Sequence, residues 1–224
     1  MNSLCGQKQP AALRVNEIFY SIQGESLYMG RPCVFVRLTG CNLRCTYCDT
    51  GYAYTQGRSM DIAQILSRAG THGVNLVEIT GGEPLMQPGT AALAEALLAK
   101  GFEVMIETNG TYPIDLVPDA CMRIMDIKCP ASGESCKTDF DNLNRLKGND
   151  QVKFVICDRK DYDYARHILK HYWSGRPPVP VLISPAAGRL APATAAAWIL
   201  EDRLDVRLHL QLHKILWSNE QRGV

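Results

Sequence analysis

The sequence predicts an α/β protein built as a partial (open, trimmed) TIM-like β/α barrel of about six βα units. Three observations predict it. Short apolar runs of strand length alternate with helix-length runs that are amphipathic or alanine-rich. Strands separated by helical stretches of about 10–15 residues imply βαβ units, and so parallel pairing with right-handed crossovers. The 224 residues hold too few such units for a closed eight-stranded barrel, which takes about 250 residues.

The elements follow in order. CVFVRL (33–38) is a buried strand, and a cysteine-rich loop follows it. SMDIAQILSRAG (59–70) is a helix capped by Ser59, because Ile62, Ile65, Leu66 and Ala69 recur at helical spacing. VNLVEIT (74–80) is the next strand, and PGTAALAEALLAKG (88–101) is a helix that Gly101 stops. FEVMIET (102–108), CMRIMDI (121–127) and VKFVIC (152–157) are the third to fifth strands. DYDYARHILKHYW (161–173) is a helix capped by Asp161. Past the turn-rich SGRPPVP come a sixth strand, VLIS (181–184), a helix, TAAAWILEDRL (194–204), and a last strand, VRLHLQL (206–212). The stretch from Lys128 to Asn144 is the least regular and reads as loops. No linker divides the chain, so residues 1–224 read as one domain with a core at about 14–217 and short flexible ends.

Composition excludes several classes of function. The net charge is +1, so no strong field draws the chain to nucleic acid or to an anionic membrane. No apolar run approaches the roughly 18 residues of a spanning helix, and the N-terminus lacks the basic flank and apolar core of a signal peptide. The expected location is the cytoplasm. Nine cysteines, an odd number with three crowded together, argue for metal or redox chemistry over a disulfide framework.

Those three are Cys41, Cys45 and Cys48, in TGCNLRCTYCDTGYA (39–53). Thiolates bind structural zinc and iron–sulfur clusters. A zinc site closes with four protein ligands, and here a fourth would have to come from a distant His or Cys. Three thiolates on a four-iron cluster leave one iron open to a substrate or cofactor. The loop follows a strand, at the end where β/α barrels place catalysis. Both metals remain open on spacing alone.

The Cys-x3-Cys-x-aromatic-Cys pattern, with Tyr47 at the aromatic position, resembles the radical S-adenosylmethionine (radical SAM) superfamily. EITGGEP (78–84), one βα unit later, resembles that superfamily's GGEP motif. The resemblance implies a [4Fe–4S] cluster held by Cys41, Cys45 and Cys48, whose open iron is chelated by S-adenosylmethionine. It implies that one electron cleaves the sulfonium to a 5′-deoxyadenosyl radical. Gly81 and Gly82, with Glu83, would then meet the methionyl end of the cofactor.

Four further stretches, FYSIQGES (19–26), CDTGYA (48–53), DIKCPASG (126–133) and LQLHKILW (210–217), are similar to the 7-carboxy-7-deazaguanine synthase family over residues 14–217. That family is a carbon–nitrogen lyase of queuosine and 7-deazapurine biosynthesis. The resemblance implies ring contraction of 6-carboxy-5,6,7,8-tetrahydropterin with loss of ammonia and regeneration of S-adenosylmethionine. By the same resemblance Ile22, Gln23, Gly24, Glu25, Arg37, Thr80 and His213 bind substrate, the last from the final strand. Thr50 ligates Mg²⁺, and Tyr47, Asp126, Ile127, Lys128, Ser184 and Pro185 join the cofactor site. Asp-Ile stands where the family has a Ser-Pro-like pair before Lys128. The partners implied are the pterin, a flavodoxin or ferredoxin as electron donor, and a second copy in a homodimer covering the sheet edge. An oxygen-labile cluster is expected.

Other readings compete. An activase that installs a glycyl radical shares the cysteine loop but not SIQGE or QLHK. A metal-stabilised binding module predicts zinc and leaves the GGEP stretch unexplained. His167 and His171 read as a solvated helix face, Cys33 and Cys157 as buried strand residues, and Cys121, Cys129 and Cys136 as no close-set cluster loop.

Overall fold

The computed structural model describes residues 12–217 and 222–223. The expectation of flexible ends falls mostly outside these. A single nine-stranded sheet runs in the order β3-β1-β2-β4-β5-β6-β7-β8-β9. Its strands are β1 (Leu13–Ile22), β2 (Pro32–Leu38), β3 (Arg58–Met60), β4 (Leu76–Gly81), β5 (Glu103–Thr108), β6 (Met122–Ile127), β7 (Gln151–Ile156), β8 (Val181–Pro185) and β9 (Arg207–Leu208). From β2 to β9 every pairing is parallel, while β1 runs antiparallel to both β2 and β3. The sheet stays open, as a trimmed barrel should.

Helices α1 (Ile62–Ala69), α2 (Thr90–Ala99), α3 (Arg159–Trp173) and α4 (Pro192–Glu201) cover the outer face, and a short α5 (Leu212–Leu216) follows β9. The β5–β6 connection carries one 3₁₀ turn and the β6–β7 connection three, with no α-helix in either, so the βα alternation is interrupted there. No helix among the described residues is long and apolar enough to cross a membrane.

Several element expectations are corrected. Strand β1 was not anticipated, because LRVNEIFYSI mixes polar with apolar residues and lies half-buried between two partners. Ser59 lies in strand β3, and Asp61 caps α1 in a reciprocal box with Gln64 (2.8 and 3.1 Å). Asp158, not Asp161, caps α3. Asp161 is buried and accepts instead from the Ala131 and Cys157 amides, at 2.9 and 2.8 Å. The last strand is two residues long, and His213 sits on α5.

Two-residue alternation sorts the strands into faces. Val34, Val36, Val77, Ile79, Val104, Ile106, Val152 and Phe154 pack under the helices. Facing inward, Cys33, Phe35, Leu76, Met105, Met122 and Ile124 form an apolar floor at the strands' N-terminal ends. Further along the same inner face stand Arg37, Glu78, Thr80, Glu107, Asp126 and Lys153, around a cavity. Apolar below and charged above is the polarity a binding site at the strand C-terminal ends requires.

Candidate active site

The cavity, about 400 Å³, is lined by Cys41, Cys45 and Cys48 on one wall and by Gln23, Gly24, Glu25, Glu107 and Lys153 on the other. Two close approaches build it. A Cβ on Gly82 would lie 2.0 Å from the Gly40 carbonyl and 2.7 Å from Cys41 Cβ, so only glycine lets the GGEP turn pack against the cysteine loop. The Glu83 amide then donates to Gly40 O at 2.8 Å. A Cβ on Gly24 would lie 2.1 Å from His213 Nδ1, so the bare Gly24 backbone seats that histidine beside Glu25. The Leu212 amide donates to Gly24 O at 2.9 Å, and Lys214 pairs with Asp49 at 2.6 Å, tying α5 to both walls.

The cysteine loop is stitched to the segment after β6. The Thr46 amide donates to Ser132 O at 3.0 Å, its hydroxyl donates to Ala131 O at 2.7 Å, and the Arg44 amide donates to Glu134 at 2.6 Å. Burial raises the thiols of Cys41 and Cys45, the latter to about 11, and each is raised further by Cys48 nearby. Binding to iron would reverse this by deprotonating them. Cys41, Cys45 and Cys48 all line the cavity, where they would hold a [4Fe–4S] cluster.

Lys153 is the hub of the opposite wall. It is 4% exposed and pairs with Glu25 at 2.7 Å, with Asp126 at 3.4 Å and with Glu107. Burial alone would lower its pKa, but the three carboxylates raise it well above the usual lysine value. Burial would raise Glu25, yet Lys153, His213 and Gln211 hold it well below the ordinary carboxylate range. Glu78 moves the other way, to about 8, through burial and then repulsion from Glu107. Its carboxyl takes the Gln23 amide, whose oxygen accepts from the Glu25 amide at 3.0 Å. His213 is lowered by burial.

Ile22, Thr50, Tyr47, Thr80, Gly81, Asp126 and Lys128 also line the cavity. Thr50 donates to Asp49 at 2.9 Å, and Thr80 to Glu107 at 3.3 Å. Arg37 lines it too, with its Nε given to Glu17 at 2.7 Å.

Four predicted residues do not line the cavity. Glu83 is fully buried, and its carboxylate accepts from the Leu85 and Asn109 amides and the Thr108 hydroxyl, at 2.9, 2.6 and 2.8 Å. It braces the turn and offers nothing to a ligand. Ile127 faces the outer core because it alternates with Asp126. Ser184 is buried with no partner for its hydroxyl among the described residues, and Pro185 is buried at the strand end. Missed were Glu78, Glu107, Lys153, Asn109 and Tyr52. The first three carry a signal visible in the sequence, a charge inside an otherwise apolar strand.

The Radical SAM superfamily model matches residues 35–146. A 7-carboxy-7-deazaguanine synthase of Koribacter versatilis is 43% identical over 95% of this chain and 100% of its own length. One from Chlorobaculum tepidum is 42% identical over 96% and 98%. The crystal structure of QueE from Escherichia coli superposes with a TM-score of 0.74 at 23% identity, covering 90% of this chain and 95% of that one, a likeness of fold. On sequence and architecture together, the chain belongs to the 7-carboxy-7-deazaguanine synthase family of the radical SAM superfamily.

Proposed function

We propose that the chain, as one domain, converts 6-carboxy-5,6,7,8-tetrahydropterin to 7-carboxy-7-deazaguanine with loss of ammonia. A single observation carries the reading: one cavity joins a three-thiol wall to an open cluster of carboxylates and lysines. Cys41, Cys45 and Cys48 would hold a [4Fe–4S] cluster, and Gly81, Gly82 and Lys128 would border the S-adenosylmethionine. When bound, cluster and cofactor supply the 5′-deoxyadenosyl radical.

The chain's own groups position and desolvate the pterin. Glu25 suits its guanidine-like N–H groups, because it stays ionised and pinned by Lys153, while buried Gln23, bonded to Glu78 and to the Glu25 amide, holds that carboxylate in place. His213 closes the pocket over Gly24. Thr80 presents its hydroxyl from the inner face. Arg37, whose described hydrogen bond uses only Nε, has its remaining edge for the substrate carboxylate. Thr50, beside the carboxylate of Asp49, is the proposed Mg²⁺ contact.

The electron donor proposed is a flavodoxin or ferredoxin, and the location the cytoplasm. A homodimer is proposed too. The terminal strands β3 and β9 are short, so the sheet edge offers little apolar surface. Exposed Leu200, Leu208, Ile215 and Leu216 on consecutive elements supply it instead. Light scattering that finds a monomer at micromolar concentration removes the dimer. For the reaction, the test is anaerobic reconstitution with iron and sulfide, then dithionite, S-adenosylmethionine and pterin, with products read by mass spectrometry. The expected product is 7-carboxy-7-deazaguanine. Formation of 5′-deoxyadenosine without it would point to a glycyl-radical activase, and neither product with bound zinc to a metal-stabilised module.

A further inference from the structure

We propose that Asn109 is a positioning residue that tunes the cluster through an N–H donor to the Cys41 sulfur. This rests on the cluster reading above. Asn109 follows β5 and is 6% exposed, on the cavity wall. Its Nδ2 donates to Cys41 Sγ at 3.9 Å and to Asn42 Oδ1 at 3.1 Å. The Leu43 amide donates to the same sulfur at 3.4 Å.

The orientation of the Asn109 amide is fixed by chemistry. Its Oδ1 accepts from the Thr111 amide at 3.1 Å and the Thr111 hydroxyl at 2.7 Å. A backbone N–H only donates, so the oxygen must face Thr111 and the NH₂ must face the thiol. The backbone is held as firmly. The Asn109 amide donates to buried Glu83 at 2.6 Å, the same carboxylate that braces the GGEP turn. One buried acid thus sets both the cofactor turn and the aim of the side chain toward the cysteine loop.

Hydrogen bonds to cluster sulfurs stabilise the reduced, more negative form and raise the midpoint potential. An amide aimed at Cys41 therefore eases uptake of the one electron that the external reductant delivers.

The test is an EPR-monitored redox titration of the reconstituted protein and its variants. Asn109→Leu and the near-isosteric Asn109→Asp should both show a more negative midpoint than the wild type. Thr111→Val, which removes the hydroxyl that anchors the amide oxygen and that accepts from Asn42 Nδ2 at 2.8 Å, should shift it less in the same direction. Asn42→Ala, which removes the other acceptor of the Asn109 amide but leaves the donor and its Thr111 anchor, should hold the wild-type value. An unchanged midpoint in Asn109→Leu at full iron content overturns the proposal, as does an equal shift in Asn42→Ala. Should the Asn109 variants fail to hold a cluster, Thr111→Val decides: a negative shift supports the proposal and none overturns it. A wild type that assembles no cluster would defeat the cluster reading instead.

Discussion

Strands β6 and β7 carry a buried charge cluster at each end. At the N-terminal end Arg123 pairs with Asp150, and both side chains are 0% exposed. Arg123 also donates to the Ile114 carbonyl at 3.3 Å, while Asp150 accepts from the amides of Arg123 and Lys147 at 3.0 and 2.8 Å. One cation meets one anion, and the remaining polar atoms find backbone. At the C-terminal end Lys153 meets three carboxylates, Lys128 meets Asp126 at 2.9 Å, and Asp126 Oδ1 has no partner among the described residues. The first network is closed and builds structure. The second has hydrogen-bonding capacity left over and faces a cavity, which is what a site for a polar ligand needs.

Cys45→Ala should abolish cluster formation and turnover, read by iron content and product analysis; retained turnover would detach the thiol wall from the chemistry. Lys153→Met should cost on the order of 10²-fold in kcat/KM by misplacing Glu25 and Glu107. Asp150→Asn should instead cost about 3–5 kcal/mol in denaturant stability, by stranding Arg123, with kcat/KM of the folded enzyme unchanged. Were the two variants to trade these effects, the division into structural and functional ends would fail. Gly24→Ala should push His213 aside and raise KM by about 10-fold at unchanged melting temperature.

The pH dependence follows from two signs. Glu78 is raised from 4.5 to about 8, so its contribution to stability is full below pH 4.5 and is lost as pH rises through about 8. Glu25 is lowered, so its contribution is present above the ordinary carboxylate value and lost as pH falls below it. Glu78→Gln, which mimics the neutral form, should flatten the fall in melting temperature between pH 5 and 8. The smallest effect belongs to the exposed Arg31–Glu103 pair, where Glu103→Ala should cost less than about 1 kcal/mol.

Much of this was legible in the sequence, for physical reasons. Parallel strands buried on their outer face read as apolar runs, so the six from β2 to β8 are legible, while exposed β9 spans only two of the residues expected of it. The cysteine loop and GGEP turn were found because ligand spacing and close backbone approach are local properties. Strand β1 is hidden because its polar and apolar residues mix and most of it is only half-buried between β2 and β3. The inward turn of the Glu83 carboxylate is not legible, because a motif names a residue without saying which way its side chain points. Ser59 and Asp161 were misread as caps because several candidate oxygens lie within a turn of each helix start, and packing chose among them.

The most direct measurement is equilibrium binding of 6-carboxy-5,6,7,8-tetrahydropterin to the reconstituted, S-adenosylmethionine-loaded, unreduced protein. The account predicts that Lys153→Met weakens binding by at least about 10-fold, while Asp150→Asn binds as the wild type does. Equal affinity in all three would contradict the claim that the open charge cluster, and not the closed one, holds the substrate.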